Sequence, residues 1–235
     1  MKTKKGFTLA ETLIALAILG VIAAITVPAL ISITNKHNYV NGLKRATLIL
    51  KTATSEIMAE NSGTMLNALP NDINADEQIR DKYCTKLSCI KKCTNSLTEG
   101  CWANSVKNLN GTTATVPDAS SVNNSGAVLS NGMTILFSFF GNACSGENYH
   151  DAVSGAHVSC SELYIDINGL KPPNTKGRDV FYFYTYNKGI VPDGVVNAIY
   201  SGWGFSCNPT AGTDTNNYYG AGCAGRVLTE GAMNY

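Results

Sequence analysis

The residue most at odds with its surroundings is Glu11, which lies in an otherwise apolar run from Phe7 to Ile31. An ionisable group in such a run costs several kcal/mol unless it has a partner, so its default reading is functional, the plainer alternative being an interfacial residue that snorkels to the headgroups. Elsewhere chemistry-bearing side chains are sparse. His37, His150 and His157 are the only histidines, and no G-x-S-x-G, H-E-x-x-H or P-loop spacing occurs. His150-Asp151 has no nucleophile partner, so no catalytic residue is assigned and the chain is not expected to be an enzyme. The eight cysteines, Cys84, Cys89, Cys93, Cys101, Cys144, Cys160, Cys207 and Cys223, avoid the C-x-x-C spacing of a zinc ribbon and suit disulfides instead. Their spacing selects no one connectivity.

Two further clusters merit weighing. Asp166, Asn168, Asn174 and Asp179 place oxygens around a Gly- and Pro-rich stretch that suits calcium. It is not an EF-hand loop, because Gly169 comes too early and no Glu closes it. The plainer reading, which we prefer, is a strand connection whose Asn and Asp residues cap turns. No other cofactor is expected. Arg80, Lys82, Lys86, Lys91 and Lys92 form a basic cluster opposed only by Asp81, which suits solvated surface better than DNA or an acidic partner.

These residues must be held by elements of two kinds. The chain has 235 residues, 44% hydrophobic and only 15% charged, with a net charge of +1. That balance excludes nucleic-acid binding by bulk charge and excludes disorder throughout. From Thr12 to Asn35, 24 residues carry no charge, enough to cross a hydrocarbon core of roughly 30 Å. Lys2, Lys4 and Lys5 keep the N-terminus cytoplasmic, so the rest is exported, where cysteines pair. The run is too long for a secretory signal peptide and lacks its cleavage site.

Gly6-Phe7-Thr8-Leu9-Ala10-Glu11 resembles the prepilin cleavage and methylation signature of type IV pilins and type II secretion pseudopilins. The resemblance implies that a membrane peptidase cuts between Gly6 and Phe7 and methylates the new amine of Phe7. It implies that Glu11 pairs with that amine during assembly, and that Gly20 and Pro28 loosen the helix. A cationic amine and a carboxylate, each costly alone in an apolar core, are tolerable as a pair and fix register. Pro28 removes one backbone hydrogen bond, so a kink or locally melted turn is expected between Gly20 and Pro28. The implied partners are other pilin or pseudopilin subunits, the prepilin peptidase and an inner-membrane assembly platform. The implied location is the bacterial inner membrane as a single-pass precursor, then a periplasmic or surface filament. A minor tip subunit whose head binds a ligand, DNA or a surface is the alternative. The stretch from Asp166 to Asp179 is similar to a segment common in pilin-like heads. A pairing of Cys207 with Cys223 would resemble the C-terminal disulfide loop of many type IV pilins. Without the three leader lysines, 15 basic groups face 17 acidic ones, a balance of −2.

Beyond Ile31 the period stays helical. Tyr39, Leu43, Ala46, Leu50, Ala53 and Ile57 recur every three or four residues on one face, and Asn61-Ser62-Gly63 supplies a stop. One helix of about 80 Å is expected. After it, short β-prone runs at 133–140, 162–167, 180–186 and 189–191 suit an antiparallel sheet with one face on a helix. The stretch 104–131 reads as a long loop. The expected fold class is α+β: a leader (1–6), an apolar transmembrane and assembly helix (7–33), its amphipathic continuation (34–63) and a disulfide-rich pilin-like head (64–235).

Overall fold

The computed structural model describes residues 6, 8–66, 68, 75–114, 125–139, 144, 148–151, 155–194, 207 and 220–235, and side chains outside 148–158. Phe7 and most of the leader lie outside the described residues, as does 115–124 within the expected loop. The chain forms two compact units, Met1–Asn38 and Tyr39–Tyr235. Helix α1, Leu9–Glu60, is unbroken.

In the first unit, α1 holds an 18-residue window of mean hydropathy 2.7 with nothing buried, so it is long and apolar enough to cross a membrane. Its threonines hide their hydroxyls on the helix itself. Thr12 Oγ1 donates to the Leu9 carbonyl, Thr26 Oγ1 to Ile22 and Thr34 Oγ1 to Leu30, at 2.8–2.9 Å. Of the kink or locally melted turn expected between Gly20 and Pro28, the melted turn does not form, since every residue there is helical. Proline deletes only the single bond to Ala24, and intact turns on both sides hold the helix through that gap.

In the second unit, Leu43, Ala46, Leu50, Ala53 and Ile57 are buried as the spacing requires, and Tyr39 is half-buried beside a buried Val40. The helix ends where Asn61-Ser62-Gly63 predicts. Ser62 and Gly63 turn left-handed, at φ 58° and 79°, and the Gly63 N–H donates to the Met58 carbonyl at 2.8 Å.

The head opens with a helix that the sequence reading did not anticipate, α2 at Ala75–Lys86. Its buried face is narrow, being Ala75, Ile79 and Tyr83 with Arg80 among charged neighbours. The Tyr83 hydroxyl and Thr54 Oγ1 of α1 share a buried hydrogen bond of 2.6 Å. The strands follow as β1 (Cys89–Cys93), β2 (Val106–Lys107), β3 (Thr113–Ala114), β4 (Ser125–Leu129), β5 (Thr134–Phe139), β6 (Asn148–Asp151), β7 (Gly155–Asp166), β8 (Val180–Tyr186) and β9 (Gly189–Pro192). Helix α3, Cys223–Glu230, comes last.

The sheet runs β1-β4-β5-β7-β8-β9, antiparallel throughout, with β6 paired to β7. β2 and β3 form a separate hairpin, and with β4 they replace part of the loop expected over 104–131. Aligned positions Ile135, Ile165 and Phe181, and likewise Phe137, Leu163 and Phe183, build the core with the inner face of α1 and with α2. Leu136, Val180 and Tyr182 face the other way and are covered by Trp102, Val106, Ala114 and Ala221. One face of the sheet therefore packs on helices as expected, and the other face is covered as well. That double cover is why β8, Val-Phe-Tyr-Phe-Tyr-Thr-Tyr, lacks clean alternation.

Gly194, just past β9, turns at φ +75° and packs so closely on α3's entry that an added Cβ would sit 1.9 Å from the Gly222 carbonyl oxygen. Gly194→Ala should cost roughly 3 kcal/mol, from backbone strain together with overpacking. Gly132→Ala, at φ +86° with nothing within 4 Å, should cost about 1–2 kcal/mol from strain alone. Denaturant unfolding of the two variants checks the difference.

Candidate functional site

At the start of α1 the structure gives Glu11 a specific job. The Thr8 N–H and Thr8 Oγ1 donate to Glu11 Oε2 at 2.8 and 2.9 Å, and the Glu11 N–H donates back to Thr8 Oγ1 at 3.3 Å. This is a reciprocal capping box that satisfies donors at the helix N-terminus. Thr8 was missed as a functional residue, although T-x-x-E before an apolar run is its signal. Glu11 Oε1 takes no hydrogen bond among the described residues. Gly6 is exposed just before the cap, while Phe7, the expected methylation site, falls outside the described residues. Gly20 and Pro28 lie further along the same exposed helix, and a Cβ on Gly20 would meet nothing within 4 Å. From Leu9 to Ile33 every large aliphatic side chain is at least half exposed. Such a surface needs an apolar partner.

In the head all eight cysteines are paired: Cys84 with Cys89, Cys93 with Cys101, Cys144 with Cys160, and Cys207 with Cys223. The first two bridges tie β1 to α2 before it and to the turn after it. The basic cluster is tied into this frame, with Lys91 and Lys92 remaining exposed. Arg80 is buried, donates to the Cys93 carbonyl at 2.8 Å and pairs with Asp81 and Glu77. Lys82 bonds the Ala68 carbonyl, Lys86 pairs with Glu60, Lys91 bonds the Glu99 carbonyl, and Lys92 lies 3.2 Å from Asp81. Asp81 opposes these cations as expected, but Glu60 and Glu77 join it, and the helical period that turns Arg80 inward was not read.

The turn between β7 and β8 brings Asp166, Asn168, Asn174 and Asp179 together. Both carboxylates are buried, at 1% and 0% exposure. Asp179 accepts from the Thr175 N–H (2.6 Å), the Asn174 N–H (2.9 Å) and Asn168 Nδ2 (3.1 Å). Asp166 Oδ1 accepts from the Asn168 N–H at 3.1 Å. Burial, and then the charge of Asp179, pushes the Asp166 carboxyl up to about 8; burial also raises Asp179. Asn168 Oδ1 is shut off from solvent with no hydrogen-bond partner. Asn174 is left-handed at φ 47°, and Gly169 at φ 73° abuts the Gly132 carbonyl. Among the described residues no three His, Cys, Asp or Glu side chains gather as a metal set, so a transition-metal centre has no ligands here. The turn instead offers oxygens of mixed charge.

The family model described as a prokaryotic N-terminal methylation motif matches residues 1–27. Two curated relatives, each a fimbrial protein of Pseudomonas aeruginosa, are 34% identical over 76 residues, covering 32% of this chain and 49% of theirs. The chain thus spans about half the length of the curated relatives it matches. No solved structure matches it.

One buried carboxylate stands apart from these groups. Asp193 is 2% exposed, its Oδ2 has no hydrogen-bond partner, and burial followed by the charge of Glu162 pushes it up to about 7. A carboxyl raised on folding stabilises most below its unfolded pKa, and that contribution is lost as pH climbs through the folded value. Between pH 4 and pH 8, Asp193→Asn should therefore gain on the parent protein by about 3 kcal/mol. Urea unfolding at the two pH values checks this, and an equal difference at both would contradict it.

Proposed function

We infer from the methylation motif, the fimbrial relatives and the fold that the chain belongs to the type IV pilin family and is a structural filament subunit, not an enzyme. The observation that carries the reading is the start of α1: a basic leader, Gly6, Phe7 and Glu11 in register, followed by a helix whose large aliphatic side chains from Leu9 to Ile33 are all at least half exposed. The precursor sits in the inner membrane by this helix. The peptidase cuts after Gly6 and methylates Phe7, the assembly platform extracts the subunit, and the helix exchanges lipid for other copies of itself. The filament then lies in the periplasm or on the cell surface, as a pilus or a type II secretion-like pseudopilus.

On this reading one carboxylate serves both precursor and filament. Glu11 Oε2 caps its own helix, and Oε1 is left for the Phe7 amine of a neighbouring subunit. In an apolar filament core that pair removes two costs at once and selects one register. The alternative of a tip subunit with a DNA-binding head draws no support from the basic cluster, whose cations are engaged within the head.

Glu11→Gln separates the two roles, because glutamine still accepts in a capping box but carries no charge for the amine. The variant should insert normally and lose about tenfold or more of its yield in sheared filaments, the equivalent of about 1.4 kcal/mol. Glu11→Ala should lose at least as much. Normal incorporation of both would overturn the pairing.

A further inference from the structure

We propose that the outward face of α1 in the head, Lys44, Arg45, Leu48 and Lys51 with the groove beside it, docks on the acidic phospholipid headgroups of the membrane that holds the precursor. The proposal rests on the reading that the apolar half of α1 crosses that membrane.

Charge is the first argument. Between Glu11 and Glu56 the sequence holds no Asp or Glu, and Lys36, Lys44, Arg45 and Lys51 all fall inside that gap. In the second unit Lys44, Arg45 and Lys51 are exposed, away from the buried stripe of Leu43, Leu50 and Ile57. Among the described residues none of the three makes an ion pair. Spacings of three and four residues gather them around Leu48, which is 66% exposed. A solvated helix face usually mixes the two signs of charge. This face has one sign around an aliphatic centre, which is the composition of a helix that lies on a membrane surface.

The groove supplies the second argument. Its volume is about 370 Å³, and it runs between α1, the end of α2 and the turn from β4 to β5. Arg45 and Leu48 line it on the α1 side, with Ile49, Leu87 and Leu129 as further apolar lining and Ser88 and Ser130 as hydroxyls. Lys86 lines it too but is paired with Glu60, so Arg45 is the cation left for an anion. A phosphodiester takes a cation and hydroxyl donors, and the glycerol and first methylenes behind it take apolar surface. Both kinds of surface meet here.

Lipid fits this face better than a second copy of the chain does. Two such faces repel, and Glu60, Glu77, Asp81 and Glu230 each already pair with a Lys or Arg of their own head. The uncharged run ends at Asn35, nine residues before Lys44, a helical tether of about 14 Å. Helical side chains lean toward the N-terminus, which here is back along that tether. Attraction to an acidic surface reaches about one Debye length, roughly 8–10 Å, so the face is tethered close enough to feel it. Docking would hold the head of the precursor down until assembly extracts it.

The test uses the full chain in nanodiscs of phosphatidylcholine, alone or with about a third phosphatidylglycerol, and reads lysine acetylation by peptide mass spectrometry. Lys188, exposed between β8 and β9, is the internal control. At about 50 mM salt, Lys44 and Lys51 should react roughly threefold more slowly in the acidic discs while Lys188 is unchanged. The difference should vanish at about 1 M salt, where the screening length is about 3 Å. Arg45→Glu keeps both lysines as reporters and should remove more than half of their protection. Leu48→Ser should weaken it too, and serves if Arg45→Glu does not fold. Equal rates in the two discs, protection that survives high salt, or protection kept by both variants would overturn the proposal while leaving the membrane reading in place. Protection that appears in phosphatidylcholine discs only when they hold two copies would overturn it in favour of a second copy. A chain that enters neither disc would overturn both the proposal and the membrane reading.

Discussion

From Leu9 to Ile33 the first half of α1 presents large aliphatic side chains, each at least half exposed, and that surface constrains everything else about the molecule. At roughly 1.5 kcal/mol per side chain the unmet burial is on the order of 20 kcal/mol, more than the whole stability of an ordinary domain. No rearrangement of a polar, turn-rich head removes it. The helix must lie in lipid or against other apolar helices, and its one carboxylate is tolerable in either place only with a partner. In the structure Thr8 is that partner, and in a filament the amine of Phe7 would join it. The threonine hydroxyls that bond back to the helix obey the same constraint, since each keeps a polar group from facing the apolar surroundings.

The head answers a different problem. It has few charges and much Asn, Ser, Thr and Gly, so it holds itself by covalent and backbone means. Four disulfides, a sheet covered on both faces and close glycine contacts replace what salt bridges would do elsewhere. Its buried carboxylates Asp166, Asp179 and Asp193, and the half-buried Asp76, are all raised by burial. Each is an energetic cost that a well-packed head tolerates, and only the Asp166 and Asp179 pair shares a turn with unsatisfied amide oxygen.

Much of this was legible from residue types alone. The stripe from Leu43 to Ile57 and the stop at Asn61-Ser62-Gly63 follow from periodicity and turn chemistry, and β5 and β8 from their β-prone runs. The misses have physical causes. Helix α2 buries three apolar side chains and an arginine, so its amphipathic signal is faint; Asp76 and Glu77 in its first turn and Lys86 in its last were the remaining cues. β2 and β3 are two residues each, too short for a period to show. Arg80 turns inward because the Cys93 carbonyl needs a donor there, a long-range fact that no local pattern carries. Pro28 was expected to kink the helix or melt a turn of it, and one missing bond inside a helix of 52 residues does not melt it. The Asp166 to Asp179 turn was readable as a set of oxygens, while the stranded Asn168 oxygen required coordinates.

The central claim is that the N-terminus is a processed assembly element rather than a permanent anchor. Intact-mass measurement of the protein from membranes and sheared filaments, in cells with an active prepilin peptidase, tests it most directly. The account predicts a chain beginning at Phe7, lighter by residues 1–6 and heavier by one methyl group. A chain that still carries those six residues would contradict it.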